Sequence, residues 1–333
     1  MTQQAPSQQH PIPSGFSRTS TTADVIKGID LTGKTAIVTG GYSGLGIETA
    51  RVLRAAGARV IVPSRDVPRA EAALAGITDA EVWHMDLLDP ESISAFGERF
   101  LEEGAPLHLL INNAAIMACP LGRDSRGNEL QFSTNHLGHF QLVQHLWPAL
   151  VAARGARVVN VSSRGHRFSP VVLEDLNFER RPYDPWASYG QSKTANVLHA
   201  VEIDARGREH GIRAFALHPG GIITNLAKYM SQEDLRRAGA VDDQGKPIID
   251  EERGIKTVEQ GAATQVWCAV SPQLEGLGGL YCEDVDVAVR VSPEDAEKMH
   301  ANLLDRTMRG VMPYAVDKPT AERLWALSEE LIG

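Results

Sequence analysis

From residue 34 onward, short and almost wholly apolar runs alternate with longer stretches in which apolar residues recur every three or four positions. The runs are 34–39, 58–62, 80–85, 107–111, 156–161 and 212–217, and helical periodicity fills 45–56, 70–75 and the gaps between the later runs. A strand that is apolar at successive positions is one covered on both faces. Such strands, separated by amphipathic helices, predict a doubly wound parallel sheet with helices on both faces, in one α/β domain. Residues 276–281 could add a last strand, and 292–308 and 320–332 read as terminal helices.

The pattern fails in four places. Residues 1–22 are rich in Gln, Pro, Ser and Thr without periodicity, which predicts a flexible arm ahead of a domain over 23–333, with 23–33 as a lead-in on its edge. Residues 164–186, rich in Pro, Arg and Phe, and 226–257, mostly charged, are irregular insertions of the kind that form lids or surface decoration; 226–257 is read as a substrate lid. A helical extension occupies about 286–333. No repeat of solenoid length is present.

Composition narrows the function classes. A formal net charge of −9 over 333 residues, with no basic patch, argues against a nucleic-acid binder. Cys119, Cys268 and Cys282 have no metal-ligand spacing and suit reduced, buried thiols. The N-terminus lacks the basic and apolar regions of a leader, and no apolar run approaches the roughly 20 residues of a membrane helix. The expectation is a soluble cytoplasmic protein without a transmembrane segment.

Two motifs carry chemistry. Thr39-Gly40-Gly41-Tyr42-Ser43-Gly44-Leu45-Gly46 follows the first strand and opens a helix. Glycines there allow a tight turn and close approach of a pyrophosphate to free helix amides. Tyr189 and Lys193 lie four apart on a predicted helix, so hydroxyl and ammonium can share one pocket. A cation beside a phenol stabilises the phenolate and makes the tyrosine a candidate general acid and base.

Together these motifs resemble the short-chain dehydrogenase/reductase family. Further matches are Asn112-Asn113-Ala114-Ala115, Asn135 in Asn135-His136-Leu137-Gly138-His139-Phe140, Ser162-Ser163, and His218-Pro219-Gly220 with Thr224, all in family order over about 33–285. The wording of several segments is most similar to the branch of retinol dehydrogenases, WW-domain-containing oxidoreductases and protochlorophyllide reductases, here without WW domains. The resemblance implies a Rossmann-type fold. It implies Tyr189 as acid/base, Lys193 as holder of the nicotinamide ribose, Ser163 as partner of the substrate oxygen with Ser162 as the fallback, and Asn135 in a proton path to Lys193.

The cofactor loop would comprise Gly40, Tyr42, Ser43, Gly44, Leu45 and Gly46. Asp86 and Leu87 would flank the adenine, with Asn113, Ala114, Ala115, Pro219, Gly220 and Thr224 further along. Ala115 replaces the family's usual glycine. At the end of the second strand, where NAD-preferring relatives carry an acid, this chain has Ser64 followed by Arg65, which favours NADP(H) over NAD(H) because a guanidinium pairs with a 2′-phosphate. Asp66, if turned inward, could restore NAD use. Arg167, Phe168, Trp186 and Tyr229 are open to substrate-contact and packing readings alike.

The resulting expectation is an NADP-dependent oxidoreductase acting on a carbonyl or alcohol of a small apolar substrate. A sugar-nucleotide epimerase is disfavoured by the glycine spacing. A non-catalytic dinucleotide sensor or interaction protein is the alternative from another class. Relatives often pair through the tyrosine-bearing helix, which leaves a homo-oligomer open.

Overall fold

The structure is a computed structural model that describes residues 9–237, 240–251, 253–302 and 308–333. The chain begins with α1 (Thr22–Ile26), then β1 (Thr35–Val38), α2 (Gly44–Ala55), β2 (Arg59–Ser64), α3 (Val67–Leu74) and β3 (Ala80–His84). There follow α4 (Pro90–Glu102), β4 (Leu109–Asn112), α5 (Leu130–Phe132), a π-helical turn at Ser133–Leu137, α6 (Gly138–Ala152) and β5 (Arg157–Val161). A 3₁₀ turn at Arg164–Phe168 leads to α7 (Pro185–Gly207) and β6 (Arg213–His218). The remainder is α8 (Gln232–Arg237), α9 (Val258–Val270), β7 (Leu280–Glu283), β8 (Asp286–Val287), α10 (Pro293–Ala301) and α11 (Lys318–Ile332).

The eight strands form one sheet in the order β3-β2-β1-β4-β5-β6-β7-β8. All pairings are parallel except β7 with β8. Strand alternation sorts side chains between two cores. Ile37, Ile61, Leu110, Val158 and Ala216 join the helices α4, α6 and α7, whereas Val38, Val62, Ile111, Val159 and Leu217 join α2 and α9. The Rossmann-type doubly wound expectation is met. Because the chain winds from β1 outward to β3 and then returns to place β4 on the other side of β1, a crevice opens at the carboxyl ends of β1 and β4.

Several expectations need revision. Residues 9–22 lie against the domain rather than free of it. The side-chain amide of Gln9 donates to the carbonyls of Tyr281 (2.7 Å) and Ala288 (2.6 Å) and accepts the Tyr281 amide (2.8 Å), so a polar residue completes the backbone bonding of β7. Residues 1–8 fall outside the described residues. Strand β8 has no counterpart in the expectation, and α10 ends at Ala301, short of the expected 308; residues 303–307 fall outside the described residues.

Helix α11 packs along α7, with Leu324 and Ala321 against Ala195, Leu198 and Val201. It therefore covers the face of α7 that these residues form. Among the described residues no helix is long and apolar enough to cross a membrane, and the three cysteines are free and buried.

Candidate active site

The glycine turn is tied to the rest of the crevice by Thr39. Its hydroxyl oxygen accepts the amides of Asn113 (2.9 Å) and Ala114 (3.0 Å), and its carbonyl accepts the Asn113 side-chain amide (2.9 Å). Buried His139 closes the arrangement. Its Nδ1 stands 3.1 Å from the Asn135 carbonyl, which can only accept, so Nδ1 carries the proton and Nε2 accepts the Thr39 hydroxyl at 2.9 Å. Burial holds this imidazole neutral, its pKa lowered to about 4.

Gly40 and Gly44 have φ of +65° and +53°, left-handed conformations that suit glycine. Gly46 serves a different purpose: a Cβ there would lie 2.3 Å from the Gly40 carbonyl oxygen and 2.7 Å from Asn113 Nδ2. Ser43, at the N-cap of α2, makes no side-chain capping bond, so the first helical amides face the crevice uncapped by it. This cradle suits a dinucleotide pyrophosphate.

The crevice is a cleft of about 1010 Å³. Gly40, Tyr42, Ser43, Gly44 and Leu45 form one wall; Ser64, Arg65, Asp86 and Leu87 close its outer end. Asn113, Ala114 and Ala115 line the floor, and Pro219, Gly220 and Thr224 lie opposite. Gly46 does not line the cleft, since its part is to let α2 approach the turn. At the outer end the Ser64 hydroxyl donates to the Asp66 carbonyl (3.0 Å), and the Asp66 carboxylate accepts the Arg69 amide (3.2 Å) as the cap of α3. Asp66 is thus turned to its own helix, not into the cleft. Arg69 lines the cleft beside Arg65. It is absent from the sequence-based candidates; Arg65 precedes the N-cap Asp66, so no helical spacing links the two.

At the inner end Tyr189, 3% exposed, reaches the cleft together with Ser163 and Lys193. The Ser163 hydroxyl accepts the Gly165 amide at 2.9 Å and faces the cleft beside the Tyr189 phenol. Ser162 points the other way and donates to the Lys193 carbonyl at 2.7 Å, as strand alternation requires. Lys193 Nζ donates to the Val161 carbonyl (2.9 Å) and lies 5.7 Å from the centre of the Tyr189 ring. Burial raises the Tyr189 pKa to about 12, opposed by the neighbouring Ser163 hydroxyl, and lowers Lys193 to about 7. The expected depression of the tyrosine by the lysine is outweighed in the chain itself, because desolvation disfavours both charged forms.

Asn135 sits behind this cluster rather than in the cleft. Its side chain pairs with Ile116, accepting that residue's amide and donating to its carbonyl at 2.9 Å each, and also donates to Ser192 Oγ (2.9 Å). It braces the Tyr189 helix from within the π-helical turn.

Of the four open substrate-contact residues, Phe168, Trp186 and Tyr229 line the cleft, while Arg167 is buried and donates to the Gly310 carbonyl. Ile116, Met117 and Ile223 add apolar surface there. Residues Leu226, Met230 and Leu235 of the expected lid also line it.

Comparison with known proteins identifies the family. A model of the short chain dehydrogenase family matches residues 34–235. A Streptomyces lividans protein named an oxidoreductase is 44% identical over 313 residues, covering 92% of this chain and 99% of its own. Human retinol dehydrogenase 12 is 37% identical over 311 residues, covering 92% of this chain and 88% of its own. The crystal structure of an uncharacterized protein from Mycobacterium paratuberculosis matches with a TM-score of 0.69 at 33% identity, covering 94% of this chain and 97% of that one.

Proposed function

The chain belongs to the short-chain dehydrogenase/reductase family of NAD(P)-dependent oxidoreductases, and we propose that it transfers hydride between NADP(H) and the carbonyl or alcohol carbon of a small, apolar substrate. The observation that carries the reading is the convergence of Ser163, Tyr189 and buried Lys193 at the inner end of a cleft that also contains the glycine turn. The nicotinamide, when bound, supplies or accepts the hydride.

In the reducing direction Ser163, with one lone pair engaged by the Gly165 amide, gives its hydroxyl hydrogen to the substrate oxygen. Tyr189 donates the proton as negative charge develops on that oxygen. Lys193 would hold the ribose, and its ammonium favours the tyrosinate left behind. Asn135 keeps the tyrosine helix in register through Ser192.

Preference for NADP is supported by Arg65 and Arg69 at the outer end and by the diversion of Asp66 to a helix cap. An apolar substrate is supported by Ile116, Met117, Phe168, Trp186 and Ile223 at the inner end, with residues 226–257 serving as a lid. Reduced, buried cysteines fit a cytoplasmic setting. Loss of NADPH absorbance over a panel of aldehydes and ketones tests the reading, with Tyr189→Phe as the control. Binding of NADPH without turnover of any of them would favour the non-catalytic sensor.

A further inference from the structure

Behind Ser163 lies a layer of buried polar side chains to which the mechanism assigns no part. His166 is fully buried, and its Nδ1 stands 2.8 Å from the Ser163 carbonyl, which also accepts the His166 amide at 3.1 Å. Its Nε2 accepts the Met312 amide at 3.2 Å. An amide can only donate, so Nε2 is the bare nitrogen and Nδ1 carries the proton that goes to Ser163. The Tyr281 hydroxyl is 3.4 Å from Nδ1. The His166 carbonyl in turn accepts the hydroxyls of Tyr314 (2.8 Å) and Thr194 (3.0 Å), the latter adjacent to Lys193.

The segment 310–314 is itself anchored. The Gly310 amide donates to Glu283 Oε1 at 2.6 Å and the Gly310 carbonyl accepts Arg167 at 3.2 Å. Met312 has φ −64° and ψ 139°, and its side chain is buried. These contacts join the C-terminal extension, β7, α7 and the Ser163 turn at a single imidazole. Gly165, one residue before it, packs so close to Tyr189 that a Cβ would lie 2.8 Å from Cε1 of the ring.

We infer that His166 is a positioning residue for Ser163: it clamps the Ser163 carbonyl so that the hydroxyl stays beside Tyr189, and the Met312 amide holds the imidazole in place from its other nitrogen. The C-terminal extension is on this account part of the catalytic apparatus without touching substrate. The inference rests on the reading of Ser163 and Tyr189 given above. Loss of the Met312 amide would leave the imidazole held at Nδ1 alone, free to tilt and carry the Ser163 carbonyl with it. Misplacement of a reacting hydroxyl by an ångström costs about 100-fold in rate.

The test uses the full chain and two substitutions at one position. Met312→Pro removes the amide hydrogen at a φ that proline adopts, and Met312→Ala removes the side chain while keeping the amide. Nitrogen NMR of ¹⁵N-histidine protein should show His166 protonated at Nδ1 in the wild type and in Met312→Ala, with the Nε2 resonance displaced in Met312→Pro by loss of its hydrogen bond. With a carbonyl that the wild type reduces, kcat of Met312→Pro should fall about 100-fold below that of Met312→Ala, with the KM for NADPH unchanged. The alkaline limb of alcohol oxidation should move to higher pH, because Ser163 no longer stabilises the tyrosinate. His166→Asn, which keeps a donor near Nδ1, should retain more activity than His166→Gln. Protonation at Nε2 in the wild type, or equal kcat in the two Met312 variants, would overturn the inference alone. A wild type with the Nδ1 tautomer and no turnover would overturn the functional reading beneath it.

Discussion

Lys193 donates its ammonium to the main-chain carbonyl of Val161, 2.9 Å away and two residues before Ser163, rather than to the hydroxyl of Tyr189. The end of β5 therefore presents the lysine from one side and the serine from the other. The lysine is 2% exposed, and burial lowers its pKa to about 7 from the 10.5 of an exposed lysine.

Between those two values the unfolded chain holds the lysine proton and the folded chain releases it, so this group makes stability rise with pH. The penalty is complete below about pH 7 and gone above about 10.5. Lys193→Met removes the group. The stability of the variant relative to wild type should thus be greatest near pH 6 and shrink toward pH 10, as read by urea unfolding at each pH. A difference independent of pH would contradict a buried, titrating lysine.

Tyr189 titrates in the opposite sense, pushed up to about 12 by the same desolvation. The phenol is therefore fully protonated at neutral pH, ready as an acid but scarce as a base. Carbonyl reduction should be flat with pH from about 6 to 9, whereas alcohol oxidation should climb over the same range. Tyr189→Phe should lower both by about 10²–10⁴-fold while NADPH binding, followed by fluorescence, is nearly unchanged. Wild-type turnover in that variant would sink the assignment.

Gly46 lies outside the cleft yet controls it. A methyl at this position would meet the Gly40 carbonyl at 2.3 Å and Asn113 Nδ2 at 2.7 Å, both parts of the turn that Thr39 holds together. Backbone cannot move aside as a flexible side chain would, so the turn must open. Gly46→Ala should weaken NADPH and NADH alike, measurable by calorimetry, while Gly76→Ala, where nothing lies within 4 Å, should leave binding unchanged.

The sheet was legible because β1, β2, β4, β5 and β6 are each covered on two faces, which leaves unbroken apolar runs in the sequence. Strand β8 was not, since it is two residues long and enters through Asp284 and Val285 at φ of 51° and 63°, a turn without the glycine that marks such conformations. Gln9 on Tyr281 was hidden for another reason: a glutamine that mimics a strand neighbour looks like any other polar arm residue. The Ser163, Tyr189 and Lys193 positions followed from motif order. The imidazoles behind them, His139 on Thr39 and His166 on Met312, pair with residues 100 and 146 positions away, a distance over which local pattern says nothing.

Arg65 and Arg69 offer the sharpest test of cofactor choice. Both line the outer end of the cleft, Arg65 just before the N-cap of α3 and Arg69 in its first turn, and the Asp66 carboxylate is engaged by the Arg69 amide. Two guanidiniums can bracket a 2′-phosphate, each charge-assisted bond being worth about 1.5–3 kcal/mol, whereas a 2′-hydroxyl gains little from either. Arg65→Ala and Arg69→Ala should each lower kcat/KM for NADPH by about tenfold to hundredfold and leave that for NADH almost unchanged, so that the ratio moves rather than the overall rate. Arg69→Ala is the more informative of the two. Equal loss with both dinucleotides would mean that Arg69 supports the fold of α3 and not the phosphate, and the NADP preference would then rest on Arg65 alone.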